Sequence, residues 1–416
     1  MIERKLLPVI LEMLEVFRIV AINGPRQSGK TTLQKLIAKE EGLKYYTFDN
    51  EQTFETASND PMGFVTFISK DNIAIDEVQM IPSIIPAIKM VVDEENRKGM
   101  FLLTGSSDMF KNSKIKESLA GRMASFNLFP LSYTEINGKD SNVIDKIFSE
   151  TFNHFDEDFE SIANLHVTNA VLRGGYPEVY QLPFKARKAW FEFYIKARIS
   201  KDIATIENID LSKLREIDKL LRTLSAQIGS IANYKKISNS VAISDKSVAK
   251  YIQILEALYI VKLVPSFANN QLKRVVKSPK IQFIDTGLAS VLLNVDVEGA
   301  MTKQGELYGN LVESFVYSEL IKHQSWAETS INIYHYRDSD QREVDFVLES
   351  SDGSVVAIEV KSGSKIKKEY FHGLVTLART LKDKPFRGIL LYGGSQVLPY
   401  KIEEHQFWAI PLKIFL

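Results

Sequence analysis

The strongest constraint on this chain is an eight-residue turn, Gly24-Pro25-Arg26-Gln27-Ser28-Gly29-Lys30-Thr31, set between the apolar run Phe17 to Asn23 and a helical pattern running from Lys30 to about Glu40. The run reads as a short buried strand, and the helix presents Leu33, Leu36 and Ile37 on one apolar face. Gly-x-x-x-x-Gly-Lys-Thr between a strand and a helix is the Walker A pattern. Its glycines let backbone N–H groups wrap phosphates, and the helix N-terminus adds positive potential. In this reading Lys30 reaches the β- and γ-phosphates, Thr31 ligates Mg²⁺, and Thr32 completes the cofactor-binding stretch, so ATP and Mg²⁺ are the expected cofactors.

A chance Gly-rich turn is the competing explanation, and a second motif weighs against it. The segment Asn72-Ile73-Ala74-Ile75-Asp76-Glu77 is an apolar strand ending in two acids. Asp76 is suited to hold Mg²⁺, and Glu77 to orient and deprotonate an attacking water. A third strand, ending Leu103-Thr104-Gly105-Ser106-Ser107, offers Thr104 and Ser106 as sensors beside the γ-phosphate; it reads equally as a strand followed by a Gly-Ser turn. Arg122, in Leu119-Ala120-Gly121-Arg122, is either a finger acting in trans or a surface charge. The first role requires a homo-oligomer.

Together with Arg173-Gly174-Gly175-Tyr176-Pro177-Glu178, these motifs resemble a large prokaryotic family of AAA+-type P-loop ATPases whose C-terminal region is a domain of unknown function. The resemblance covers essentially the whole chain and implies the fold and ATP binding.

A length of 416 residues exceeds one hydrophobic core. The pattern divides into an AAA+-type P-loop core over 1–138, a helical connector over 139–208, a winged helix-turn-helix over 209–278 and a second α/β domain over 279–416. The expected class is therefore α/β multidomain, led by a P-loop parallel sheet. Cysteine is absent, which excludes disulfides and thiolate chemistry, and the six histidines lack ligand-like spacing. No apolar run approaches 18 residues and no signal-peptide core follows the N-terminus, so the expectation is a cytoplasmic protein with no membrane partner.

The chain is neutral, with 52 basic and 52 acidic residues, but the balance is uneven. Between Leu211 and Lys280, thirteen Lys and Arg stand against four Asp and Glu. Lys246 and Lys250 fall on the expected reading helix, and Lys273, Arg274 and Lys277 in or after the wing, where phosphate contacts are usual. DNA is the partner this implies, although RNA stays open and such modules also serve as protein-packing lids.

Arg342-Glu343-Val344-Asp345 and, after a turn, Ile358-Glu359-Val360-Lys361 place an acid on one strand and Glu-x-Lys on the next. This resembles the PD-(D/E)xK, or restriction-endonuclease-like, superfamily. The resemblance implies Asp345 and Glu359 as Mg²⁺ ligands, Lys361 on the attacking water, and Glu313 as the helical acid, with Glu306 as fallback. Alternating acids also occur as solvent-facing charge on half-buried sheets. The combined expectation is an Mg²⁺-dependent ATPase acting on nucleic acid through a C-terminal metal-dependent nuclease. The alternative is an ATP-switched assembly or regulatory protein whose last domain only binds DNA or a protein partner.

Overall fold

The computed structural model describes residues 2–106, 119–149, 158–199, 211–268, 278–302, 305–381 and 384–416. Lys273, Arg274, Lys277 and Ser107 lie outside the described residues. The chain divides into two compact units, Met1–Leu131 with Ala257–Tyr259, and Ser132–Glu256 with Ile260–Leu416.

The first unit is built on five parallel strands: β1 (Ile19–Asn23), β2 (Lys44–Thr47), β3 (Ile73–Asp76), β4 (Phe101–Gly105) and β5 (Met123–Asn127). They lie in the order β2-β3-β4-β1-β5. Both faces are covered, which is why β1, β3 and β4 are near-continuous apolar runs, buried at every position. Alternate residues serve opposite cores. Ile19, Ala21, Ile73, Ile75, Phe101 and Leu103 meet the helices Glu51–Asn59, Pro61–Ile68 and Ile84–Glu95. Val20, Ile22, Ala74 and Leu102 meet Leu7–Val16 and Lys30–Glu40. Because β4 separates β1 from β3, the loop after β1, the acids ending β3 and the hydroxyls ending β4 all open from one edge of the sheet.

On the helix Lys30–Glu40 the buried positions are Lys30, Leu33, Gln34, Ile37 and Ala38. Leu36, expected on the apolar face, is only half-buried. Gln34 takes that room because its amide donates to the Ile75 carbonyl at 3.0 Å and the Leu102 carbonyl at 2.8 Å. A polar side chain is tolerated in a core when the backbone satisfies it.

In the second unit, helices Leu211–Ala226, Tyr234–Val241 and Asp245–Ala257 precede β6 (Val261–Val264), which pairs antiparallel with β7 (Lys280–Phe283). An isolated bridge joins Ile231 to Lys280. The helix Gly305–Gln324 then leads into a mixed six-stranded sheet: β8 (Ile331–Arg337), β9 (Glu343–Ser350), β10 (Val355–Lys361), β11 (Phe386–Tyr392), β12 (Leu398–Ile402) and β13 (His405–Pro411), in the order β12-β13-β11-β10-β9-β8. The sequence pattern missed β12 and β13. Pro399 interrupts the first, which is tolerated because β12 is an edge strand. The register of β9 on β10 sets Phe346 opposite Ile358, which brings Asp345 beside Glu359.

Candidate functional site

The phosphate loop starts where β1 ends. Leu128 donates its N–H to the Asn23 carbonyl at 2.7 Å, which fixes the strand end. Gly24 then adopts φ +146, and a Cβ there would stand 2.2 Å from the Leu128 carbonyl oxygen, so only glycine fits. Gln27 (φ 62) and Gly29 (φ 98) also take left-handed conformations, curling the loop into the helix N-terminus. The Lys30 ammonium is buried and folds back on the loop, donating to the carbonyls of Gly24 at 2.9 Å and Pro25 at 2.7 Å. Arg4 braces the loop from outside, donating to the Ser28 carbonyl at 2.7 Å and the Phe129 carbonyl at 2.7 Å.

Asp76 is the hub. Its carboxylate accepts from Thr31 Oγ1 at 2.7 Å, from the Tyr45 hydroxyl at 3.0 Å and from the Thr104 hydroxyl. Burial and the adjacent Asp76 charge push the Tyr45 phenol well above its ordinary range, so it remains a donor. Thr104 is fully buried, and its hydroxyl serves Asp76. Ser106 meets Gln79 instead: the Gln79 amide donates to Ser106 Oγ at 2.9 Å and to the Glu77 carboxylate, and accepts from the Ser106 N–H at 3.3 Å. Glu77 itself has φ 56, which turns the chain sharply after the strand. Thr31, Asp76, Glu77, Thr104 and Ser106 thus gather at one sheet edge beside Lys30, while the Thr32 side chain is exposed. Sequence reasoning did not single out Tyr45, Arg4 or Gln79. Gln79 at least stands two residues beyond Glu77.

Arg122 is elsewhere. Since Ile19 faces Met123 and Asn23 faces Asn127, Arg122 precedes β5 at the sheet edge opposite the phosphate loop. Its guanidinium grips the Asp93 carboxylate, with Nη2 at 2.9 Å, and donates to the Ala120 carbonyl at 3.1 Å. That hydrogen bond holds the Asp93 carboxyl below its usual value.

The second cluster lies wholly in the second unit. Glu313 comes from the long helix, Asp345 from β9, and Glu359 and Lys361 from β10; these four expected residues converge. At their centre sits a residue not singled out for the site. The Lys280 ammonium bridges Glu313 Oε1 at 2.8 Å and Asp345 Oδ1 at 2.9 Å and is 4% exposed. Lys280, one of the thirteen basic residues counted between Leu211 and Lys280, therefore adds nothing to a surface patch, because its charge is spent inside. Asp345 Oδ2 accepts the Val360 N–H at 2.9 Å, Gln282 donates to Glu313 at 2.7 Å, and Lys361 pairs with Glu359 at 2.6 Å. Glu359 Oε2 is buried with no partner among the described residues.

Three carboxylates share this space with two ammoniums, so one proton is needed for neutrality. Burial, then the neighbouring Asp345 charge, pushes Glu313 up to about 7 and Glu359 to about 8, while Lys280 and Lys361 hold Asp345 below its ordinary value. Among the described residues no set of three or more His, Asp and Glu side chains is arranged to hold a metal ion. Glu306 is exposed near the start of its helix. Lys246 and Lys250 are exposed on Asp245–Ala257. Among the described residues no helix is long and apolar enough to cross a membrane.

Comparison with known proteins matches residues 16–137 to the family described as AAA domain, 164–299 to the domain of unknown function DUF8612 and 308–415 to the domain of unknown function DUF4143. Uncharacterized protein Rv2008c of Mycobacterium tuberculosis is 30% identical over 355 residues, 83% of this chain and 70% of that one. Uncharacterized protein Mb2031c of Mycobacterium bovis matches to the same extent. Among solved structures, the Walker-type ATPase PABY2304 of Pyrococcus abyssi is similar at 13% identity and TM-score 0.39, over 70% of this chain and 96% of that one. AMPPCP-bound DnaA from Aquifex aeolicus is similar at 15% identity and TM-score 0.26, over 60% and 86%.

Proposed function

The chain belongs to the family of these mycobacterial proteins, with an AAA domain ahead of two domains of unknown function, and is an ATP-binding P-loop ATPase; we propose that it is Mg²⁺-dependent and acts on nucleic acid. The donor set supports the metal: Thr31 hydroxyl and Asp76 carboxylate already meet at 2.7 Å, a hard-oxygen pair suited to Mg²⁺. The ion would supply charge neutralisation on the phosphates. Lys30 and the loop amides bind and orient those phosphates. Glu77, held by Gln79 and Ser106, takes the proton of the attacking water. Arg122 of a neighbouring copy is the residue for a finger in trans, once released from Asp93.

The output end is the carboxylate cluster. The observation that carries a nuclease-like reading is the convergence of Glu313, Asp345, Glu359 and Lys361 on one helix and two adjacent strands, with Glu359 Oε2 buried and without a partner among the described residues. Residues of the helix-turn-helix, Lys246 and Lys250, together with Lys273, Arg274 and Lys277, deliver nucleic-acid phosphates to the molecule. A metal does not fit the cluster as folded, because Lys280 already fills the cationic position between Glu313 and Asp345. That same ammonium favours a second reading, in which the domain binds DNA or a protein partner without cutting.

One experiment separates the two. Linear, circular and single-stranded substrates are incubated with Mg²⁺ or Mn²⁺ and wild-type chain, Lys30→Ala, Asp345→Ala and Lys280→Ala. Cleavage lost in Asp345→Ala supports the nuclease. Absence of cleavage in wild type and in Lys280→Ala, with salt-dependent retention of duplex weakened by Lys246→Glu, selects the binding platform. No retention and no cleavage would sink the nucleic-acid reading altogether.

A further inference from the structure

The second unit contains a cavity of about 610 Å³ lined by none of the residues assigned above. It lies beside the helix Asn164–Arg173, whose last residue opens the Arg-Gly-Gly-Tyr-Pro-Glu turn. That turn is held rigidly. Gly174 has φ +66, and a Cβ there would stand 2.3 Å from the Asp285 carboxylate. Asp285 accepts the Gly175 N–H at 2.8 Å and the Leu288 N–H at 3.0 Å, so both its oxygens are engaged by backbone. A Cβ on Gly287 would meet the Arg173 carbonyl at 2.2 Å. The backbone of Arg173 is thus fixed by buried contacts.

Its side chain is not consumed by them. Arg173 is half-buried, lines the cavity, and among the described residues its guanidinium has no carboxylate or carbonyl partner. Five N–H donors on a partly desolvated cation are a strong demand for an anion. Lys139 and His166 line the same cavity together with Leu416, and among the described residues no Asp or Glu side chain does. Behind the turn, buried Arg187 adds positive potential; burial and then the Arg173 charge lower its pKa. The buried carboxyls of Asp285 and Glu319 lie behind the same wall but are engaged by backbone N–H groups, so the cation that faces the cavity without a partner among the described residues is Arg173.

Its size and walls narrow the ligand further. About 610 Å³ falls within the range of small-molecule sites and is far more than inorganic phosphate needs. Tyr133, Ile136, Ile162 and Tyr180 give flat apolar walls, and Asn137, Asn169 and Gln181 offer paired amide donors and acceptors. We propose that this cavity is a second small-molecule site, separate from the phosphate loop, that takes a mononucleotide. The phosphate sits on Arg173 with Lys139 and His166 alongside, and the heterocycle lies among the tyrosines with its polar edge on the amides.

The test is calorimetric titration of the full chain carrying Lys30→Ala, which removes the loop lysine, with AMP, GMP, CMP, UMP, the matching nucleosides and inorganic phosphate. Expected is stoichiometric binding of at least one mononucleotide, weakened about tenfold or more when the phosphate is absent or when Arg173→Gln is added, the loss of a charge-assisted pair. Far-UV circular dichroism checks the fold of that variant. If Arg173→Gln unfolds, Asn169→Leu, which alters the wall without touching the turn, decides the matter by weakening or sparing binding. No mononucleotide binding at millimolar concentration overturns the proposal. So does binding indifferent to the Arg173 and Asn169 changes, or inorganic phosphate binding as tightly as any mononucleotide.

Discussion

Replacing Lys280 by methionine keeps the reach of the side chain and deletes the ammonium that joins Glu313 and Asp345 at 2.8 and 2.9 Å. Removing one partner of a buried ion pair costs about 3–5 kcal/mol, because the remaining charge is left desolvated. Here two carboxylates lose the same cation, so the upper part of that range applies when both are ionised. Glu313 offers relief. Its carboxyl is pushed up to about 7, so at pH 5.5 it already carries a proton and only the Asp345 pair is at stake. The destabilisation expected is therefore about 5 kcal/mol at pH 8.5 and about 3 kcal/mol at pH 5.5. All three tryptophans, Trp190, Trp326 and Trp408, fall in the second unit, so their emission during urea titration reports that unit rather than the ATPase sheet. Adding Asp345→Asn to the Lys280→Met chain removes the stranded charge and restores part of the loss. A cost below about 1 kcal/mol at pH 8.5, or one equal at both pH values, refutes the account of Lys280 as the cluster's internal cation.

The wild-type cluster has its own pH dependence. Glu313 and Glu359 have carboxyls raised to about 7 and about 8, so the folded state favours their protonated forms; that contribution is complete below the ordinary carboxyl range and is lost as pH rises through 7 to 8. The second unit is accordingly less urea-resistant at pH 9 than at pH 6, and Glu359→Gln flattens the difference, both read by tryptophan emission. In the ATP site, Gln79→Ala frees Glu77 and Ser106 from each other but removes no group expected on the phosphates. Steady-state hydrolysis falls about tenfold or more while ATP affinity in equilibrium dialysis holds. Gly24→Ala sets a Cβ 2.2 Å from the Leu128 carbonyl in a backbone conformation unsuited to alanine, and ATP binding is lost together with about 1–3 kcal/mol of stability in the first unit.

The ATPase half was legible because its determinants are short. A turn of eight residues, two acids after an apolar run and hydroxyls after another each fit within a few positions, and a parallel sheet order carries them to one edge. What escaped were residues reaching in from elsewhere. Arg4 is 125 positions from Phe129, and Gln34 is 68 from Leu102. Nothing in the neighbourhood of either residue in sequence marks it as more than a solvated side chain. β9, β10 and β11 are near-continuous aliphatic runs that are plain in the sequence, whereas the edge strand β12 carries Pro399 and alternates half-buried with exposed positions, and β13 opens on the polar pair His405-Gln406 before its buried end.

Lys280 shows why charge counting in particular runs out. Thirteen basic residues against four acids read as a surplus of positive charge, and a net count gives Lys280 the same weight as Lys246 or Lys250. The fold assigns them separately: Lys246 and Lys250 are exposed on a helix, while Lys280, first residue of β7, turns inward to acids as far as 65 positions away. Its burial is affordable only because Glu313 and Asp345 meet it there, and their burial in turn depends on Lys280. The charge surplus between Leu211 and Lys280 is thus smaller at the surface than in the sequence. The carboxylate cluster, whose residues resemble those of a metal site, is internally compensated by Lys280 and Lys361, while burial raises the Glu313 and Glu359 carboxyls and Glu359 Oε2 has no partner among the described residues. A cation that enters between Glu313 and Asp345 must displace the Lys280 ammonium, which already holds that position at 2.8 and 2.9 Å.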